Sequence, residues 1–207
     1  MISINKSFLF VHRGKSAGNS MTKILLPYCE NARIYRYNSF QDGIRYFDVK
    51  DVKYKLRKHA GLREYYEAIP DHIIKKLFKF VVIRNPYERL ISAYFSPNTV
   101  FEKGSAEFRN DEFINLINNQ RTLRDFVCVD ETDTYATHID KYLRFENLTS
   151  DFQQLVTDLN LGRISLPHYN KSKKSKPWQA YYNRELVDLV YVRFHEEIDH
   201  FGYSIDL

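Results

Sequence analysis

The chain has 207 residues, with 31 Lys and Arg against 26 Asp and Glu and a formal net charge of +5. This length favours a single domain over residues 1–207. Hydrophobic residues make up 43% of the chain and charged residues 28%, a composition that excludes both a disordered chain and a bundle of membrane helices. The sequence therefore predicts one globular, mildly basic domain.

The apolar patterns predict strands that alternate with helices. Phe8–Val11 is an apolar run that ends in a polar turn, typical of a strand buried on both faces, and a helical pattern follows up to Pro27. Phe78–Ile83 repeats this order, with Pro86 near the start of the next helix. Other patterns predict strands near 33–37 and 142–145 and helices near 62–69, 111–119, 148–159 and 183–198. This order indicates an α/β fold with a central parallel sheet flanked by helices.

A polar segment rich in small residues follows the first of these strands. Residues 14–20 read Gly-Lys-Ser-Ala-Gly-Asn-Ser, at a junction where the N terminus of the next helix can bind an anion. The two glycines allow close approach of the backbone, Lys15 supplies a charge, and the polar side chains supply donors. The segment predicts a phosphate-binding loop, and an ordinary turn with a surface lysine is the alternative.

Part of this segment also matches a different phosphate-binding loop. Gly14-Lys15-Ser16 completes the second half of the Walker sequence GxxxxGK[ST] of kinases and ATPases. The first glycine of that motif would stand at position 9, where the chain has Leu9 inside a predicted strand. The Walker motif is therefore incomplete, and a P-loop kinase is kept only as an alternative function.

Two strand–helix junctions together resemble the sulfotransferases. The segment Lys15-Ser16-Ala17-Gly18-Asn19-Ser20 is similar to the 5′-phosphosulfate loop of that family, although Arg13-Gly14 replaces the usual apolar residue and proline. Arg84-Asn85-Pro86, followed by Ser92, resembles the 3′-phosphate motif of the carbohydrate sulfotransferases. Residues 143–148 and 166–172 extend the resemblance, and the last segment includes three polar residues that match the cofactor loop: Asn170, Lys171 and Ser172. The resemblance implies a P-loop-like sulfotransferase fold.

The resemblance also implies an activity. The donor would be 3′-phosphoadenosine 5′-phosphosulfate (PAPS), and the acceptor a hydroxyl or amine of a carbohydrate or a small molecule, with in-line displacement of the sulfuryl group. The resemblance assigns Lys15 to the leaving phosphate, residues 16–20 to binding of the 5′ end, and Arg84 with Ser92 to the 3′-phosphate. A non-catalytic protein that binds a nucleotide or polyanion on the same fold is the alternative.

An in-line transfer to a hydroxyl also needs a base, and the chain has seven histidines. His59 stands between the two phosphate motifs, where the 2-O-type members of the family carry their histidine base, so it is the predicted catalytic base. His12 is expected to orient the loop. His195 and His200 are five residues apart, so they do not form the HExxH zinc motif, and no metal is expected.

Basic residues cluster in two further places. Lys50, Lys53, Lys55, Arg57 and Lys58 form one patch, and Lys171 to Lys176 contain another. The first could line a groove for an acidic acceptor or could only keep the surface soluble. We expect no nucleic-acid partner, and the oligomeric state is open. Without a spanning or signal segment, a bacterial cytoplasmic protein is expected, or a Golgi-lumen protein if an anchor was removed.

Overall fold

A computed structural model of the chain describes residues 1–41, 44–96, 107–166 and 176–205. The chain divides into two compact units. The first contains Met1–Ile83 and Arg124–Tyr169, and the second contains Arg84–Leu123 and Asn170–Leu207.

The elements are numbered along the chain. The strands are β1 (Ile2–Ser3), β2 (Phe8–Val11), β3 (Ala32–Gln41), β4 (Ile44–Asp51), β5 (Phe78–Ile83) and β6 (Lys141–Arg144). The helices are α1 (Gly18–Leu25), α2 (Leu62–Ala68), α3 (Asp71–Ile74), α4 (Pro86–Tyr94), α5 (Asn110–Asn119), α6 (Arg124–Val127), α7 (Tyr135–His138), α8 (Leu148–Asp158) and α9 (Arg184–Phe201).

The first unit is built on a four-stranded sheet in the order β1-β2-β5-β6. Strands β2, β5 and β6 are parallel, with Val11 opposite Val81 and Ile83 opposite Arg144, whereas β1 is antiparallel to β2. Strands β3 and β4 form a separate antiparallel pair. The unit is thus a mixed α/β structure whose central sheet is mostly parallel.

Aromatic and aliphatic side chains on one face of this sheet form the core of the first unit. Phe10 of β2 stacks on Phe80 of β5 with ring centroids 5.3 Å apart. Met21 of α1 and Phe152 of α8 belong to the same buried cluster. Every residue of β2 is buried, as predicted for a strand covered on both faces, and the burial of this strand fixes the position at which the loop after Val11 begins.

The second unit is helical and contains α4, α5 and α9. Helix α4 begins where predicted, because the Asn85 side chain accepts a hydrogen bond from the backbone N–H of Tyr87 (3.0 Å) and Pro86 occupies the first turn. Helix α9 ends at Gly202, which has a φ of 65°. The buried cluster of this unit joins the three helices. None of the helices in the described ranges is long and apolar enough to cross a membrane.

The predicted elements with strong apolar patterns are confirmed, some with shifted ends. Strand Phe78–Ile83 has the predicted bounds, and the long C-terminal helix extends to Phe201 rather than to 198. Three kinds of element were not predicted: the two-residue β1, the hairpin partner β4, and the four-residue helices α3, α6 and α7. These elements are too short, or in β4 too polar, to produce a periodic pattern.

Candidate anion-binding loop and active site

The loop between β2 and α1 has an alternating backbone conformation. Lys15 has a φ of 65° and Ala17 a φ of 55°, whereas Ser16 between them has no positive φ. Such alternation turns successive backbone N–H groups toward one concavity, which is a common way to bind an anion. Ala17 is the N-cap of α1 and its side chain makes no capping hydrogen bond, so no cap at this position satisfies the first N–H groups of the helix, which are the groups that bind anions at helix N termini.

Ser16 lies inside this loop and is almost fully buried, with 1% of its surface exposed. Its Oγ has no hydrogen-bond partner among the residues that the structure describes. Buried hydroxyl groups are nearly always paired, because an unpaired one loses its hydration without compensation. An orphaned serine hydroxyl between two positive-φ residues therefore fits a loop whose polar groups are completed by a bound anion.

Gly18 allows the loop to pass close to His12. A Cβ atom at position 18 would lie 1.8 Å from Nε2 of His12, far inside contact distance. The histidine is the residue directly after β2 and is buried, with 2% exposed. Glycine is therefore required at position 18 by close packing against an imidazole, in addition to any role in ligand approach.

The imidazole of His12 is held by α1. Its Nδ1 is 3.2 Å from Oγ1 of Thr22, which is fully buried. Thr22 follows Gly18 by four residues, so both face the same side of the helix. Burial, followed by the positive charges of His59, Lys58 and the N terminus, holds the pKa of His12 well below its ordinary value of 6.5. His12 is therefore a neutral, structural imidazole at the base of the loop.

His59 lies against the same strand end. Its Nδ1 is 3.0 Å from the carbonyl oxygen of His12. A carbonyl can only accept, so Nδ1 of His59 carries the hydrogen, and in the neutral ring Nε2 is then the basic nitrogen. The two imidazoles meet edge to face with centroids 4.6 Å apart, and Cε1 of His59 is 3.7 Å from the place of a Cβ on Gly14. His59 itself is exposed.

The depressed pKa of His12 predicts that acid destabilises the protein. The unfolded chain binds a proton near pH 6.5 and the folded chain does not, so the free energy of unfolding falls as the pH drops below that value, by up to about 1.4 kcal/mol per pH unit from this residue. Urea unfolding between pH 5 and 8 should show a shallower acid slope in His12→Asn than in the wild type. His195→Asn, which changes an exposed histidine of α9, should keep the wild-type slope, and an unchanged slope in His12→Asn would contradict the burial argument.

The residues of the second predicted motif belong to the second unit. Arg84 is buried, and its Nη2 is 2.6 Å from Oε1 of Glu88, one turn further along the chain. This carboxylate fixes the guanidinium, which has five N–H donors and can bind more than one acceptor. Ser92 is half-buried in α4. This pairing of Arg84 with Glu88 was not predicted from the sequence.

Some of the other predicted residues lie within the ranges that the structure describes, and others do not. Asn170, Lys171, Ser172 and His168 lie outside the described residues. Leu9, at the position of the first Walker glycine, lies in β2 and is fully buried. His138, another of the seven histidines, has its Nε2 2.9 Å from Oδ2 of Asp133. Within the described ranges, no cluster of His, Cys, Asp and Glu could hold a metal ion.

The basic patch between residues 50 and 58 is a surface feature. Lys50, Lys53, Lys55 and Arg57 are exposed, and Lys58 is half-buried. Arg57 is 3.4 Å from Glu64 of α2. Exposed ion pairs of this kind contribute little to the stability of the fold. Arg57 could therefore exchange Glu64 for an anionic ligand at little cost to the stability of the protein.

Thr22 is the residue of this region that sequence reasoning missed. Its hydroxyl supports His12, yet in the sequence it is only a threonine inside an amphipathic helix. The one available signal is its spacing of four from Gly18, which places both residues on one helical face. The spacing predicts a contact between Thr22 and His12 only if the burial of His12 is already known.

Comparisons with known proteins identify a family for the chain. A family model described as the sulfotransferase family matches residues 1–204. No curated protein and no solved structure matches the chain.

Proposed function

Because the match covers almost all of its length, the chain belongs to the sulfotransferase family, and we propose that it transfers the sulfuryl group of PAPS to a hydroxyl or amine of a carbohydrate or related acceptor. The family makes the protein a transferase. The donor, the acceptor and the residue roles are the content of the proposal.

One observation carries the proposal: a histidine whose Nδ1 donates to a backbone carbonyl lies beside a loop whose geometry suits an anion. His59 is bonded through Nδ1 to the residue that begins the loop, and the loop combines alternating φ values with a buried, unpartnered hydroxyl on Ser16. An in-line transfer needs these two elements close together, a cradle for the anionic leaving group and a base for the attacking hydroxyl.

The residues on the loop fit the 5′ end of the donor. We assign the ammonium of Lys15, the hydroxyl groups of Ser16 and Ser20, the side chain of Asn19 and the N–H groups from Ala17 and Gly18 onward to the phosphate and sulfate oxygens. Arg84 and Ser92 are assigned to the 3′-phosphate, with Glu88 holding the guanidinium in one orientation. Asn170, Lys171 and Ser172 complete the assignment as cofactor-binding residues.

The mechanism divides the work between charge stabilisation and proton removal. The bound donor supplies the sulfuryl group and a phosphate leaving group. Lys15 and the N terminus of α1 stabilise the negative charge that grows on this phosphate, where a preorganised positive field lowers the barrier most. His59 removes the proton of the attacking hydroxyl with Nε2, while the carbonyl of His12 stabilises the imidazolium through Nδ1–H.

The class of acceptor is proposed from charge alone. Lys50, Lys53, Lys55 and Arg57 are exposed on the segment that leads to His59. A cationic surface beside the base would raise the encounter rate of an acidic sugar, and the effect would weaken with salt. An acidic carbohydrate is therefore the preferred acceptor within the broader proposal.

Replacement of His59 tests the base. In His59→Ala, kcat for sulfuryl transfer should fall by about 10²-fold or more, and the rate should lose its dependence on pH in the range where imidazole titrates. Binding of adenosine 3′,5′-bisphosphate should change little, because the base acts on the acceptor. The matched control is His72→Ala, an exposed histidine on α3, which should retain full activity.

The activity itself is tested with labelled donor. The protein is incubated with ³⁵S-labelled PAPS and a panel of neutral, uronate-containing and sulfated glycans, and incorporation of label is measured. Binding of adenosine 3′,5′-bisphosphate without incorporation on any acceptor would favour the non-catalytic binding protein. Binding of ATP in preference to the bisphosphate, with phosphate transfer, would instead favour the kinase.

A further inference from the structure

Contacts with two different groups of His12, its ring and its backbone carbonyl, connect α1 with His59. Oγ1 of Thr22 is 3.2 Å from Nδ1 of His12, and the carbonyl oxygen of His12 is 3.0 Å from Nδ1 of His59. The two imidazole rings are also in direct edge-to-face contact, with centroids 4.6 Å apart. The exposed base is therefore in contact with a buried ring, and that ring is anchored to the helix.

The His12 ring is fixed on several sides. It stacks on Phe10 at a centroid distance of 5.7 Å. Gly18 packs so closely against another side of the ring that a Cβ atom would not fit between them. These contacts restrict translation of the ring, but a hydrogen bond is what restricts rotation of an imidazole within an apolar slot. Thr22 supplies that bond, since its hydroxyl can either donate to Nδ1 or accept from it.

We propose that Thr22 is a positioning residue. Its hydroxyl fixes the His12 ring, and this ring packs against His59 and keeps Nδ1 of His59 at the carbonyl oxygen of His12, so that Nε2 is the basic nitrogen. The proposal rests on the assignment of His59 as the base in the proposed function. The proposal adds a requirement for a hydroxyl at position 22, which does not follow from the assignment of His59 as the base.

The same contacts couple the base to the anion loop. Gly18 opens α1 and touches the His12 ring, and Thr22 lies one turn later on the same face. The N terminus of α1 is therefore packed directly against the ring that supports His59. The hydroxyl of Thr22 bonds to this ring, so its removal should lower turnover more than donor affinity.

The experiment compares Thr22→Val with Thr22→Ser. Valine keeps the approximate shape of threonine and removes the hydroxyl, whereas serine keeps the hydroxyl and should rescue. The ¹⁵N chemical shifts of the imidazole nitrogens report the tautomer of His59 directly, and steady-state kinetics with PAPS report kcat and KM. Thr157→Val, which changes an exposed threonine of α8, is the matched control. Thr22→Ala is measured in the same way if the valine variant does not fold.

We expect the wild type and Thr22→Ser to show His59 predominantly in the Nδ1–H form. In Thr22→Val this fraction should fall, and kcat should drop about tenfold with little change in the KM for donor. An unchanged tautomer and unchanged kcat in Thr22→Val would overturn the proposal, as would a wild type in which Nε2 carries the hydrogen.

Failure of the proposed function gives a different result. If the wild type transfers no sulfate, or if His59→Ala is fully active, the assignment of the base is wrong, yet the NMR comparison still decides whether Thr22 sets the His59 tautomer. A shift of the tautomer without any change in turnover would keep the structural link and reject its catalytic role.

Discussion

Lys15→Ala should lose sulfuryl transfer almost completely, with kcat/KM for donor reduced by about 10³-fold. The ammonium is the one cationic side chain within the loop sequence 14–20, beside the buried hydroxyl of Ser16 and the N terminus of α1. Charge develops on the leaving phosphate during the transfer, so a fixed cation at that point stabilises the transition state more than the ground state. The larger part of the loss should therefore be in kcat rather than in donor binding.

Lys15→Ala isolates the effect of the ammonium charge from any effect on the backbone. Lys15 has a φ of 65°, a conformation that costs a similar amount for lysine and for alanine. Alanine therefore removes the ammonium without relaxing the backbone, whereas glycine would change both. Lys23→Ala provides the matched control, because Lys23 is an exposed lysine in the last turn of the same helix. The measurement is labelled-sulfate transfer together with calorimetric binding of adenosine 3′,5′-bisphosphate. Normal binding and turnover in Lys15→Ala would remove the basis of the mechanism.

The parts of the fold that could be predicted from the sequence are those with strong local signals. Phe78–Ile83 is an uninterrupted strand pattern, and Asn85-Pro86 is a helix start whose cap is visible in the residue types. By contrast, β1 has only two residues and gains its place from pairing with β2. Strand β4 carries charged residues and is specified by its antiparallel partner β3 rather than by a local pattern. These elements depend on long-range contacts that no window of sequence contains.

The candidate site likewise contains residues that local sequence patterns predict and residues that depend on long-range contacts. The residues at the loop could be assigned because small and polar residues after a buried strand have a local meaning. The preference for His59 over six other histidines came from resemblance, and its contact with His12 spans 47 positions of the chain, a separation that no sequence pattern encodes. The pairing of Arg84 with Glu88 has a spacing of four, but Arg84 lies before the N-cap Asn85 of α4, so the helical rule for such pairs does not predict it. The role of Thr22 could not be predicted either, because it depends on the burial of His12.

Gly18→Ala should be among the most destabilising single changes in the first unit, lowering the free energy of unfolding by about 3 kcal/mol. Replacement of glycine by alanine at a helical position usually stabilises by about 0.5–1 kcal/mol, so the sign of the effect is diagnostic. The added Cβ would lie 1.8 Å from Nε2 of His12, and the buried ring cannot swing away because Phe10, Thr22 and His59 surround it. The loop must therefore move, and we also expect at least about a 10²-fold loss of turnover.

Two comparisons make this prediction specific to the clash. Gly14→Ala adds a Cβ that meets only Cε1 of His59 at an ordinary 3.7 Å, and Gly14 has no positive φ, so its stability should stay within about 1 kcal/mol of the wild type. In the His12→Ala background the imidazole is absent, so the further change Gly18→Ala should cost almost nothing. Urea unfolding of the wild type, the two single variants and the double variant gives the coupling energy. If the effects of His12→Ala and Gly18→Ala on the free energy of unfolding were additive, the imidazole would not be what excludes a side chain at position 18. The packing of the loop against the ring that supports His59 would then be wrong.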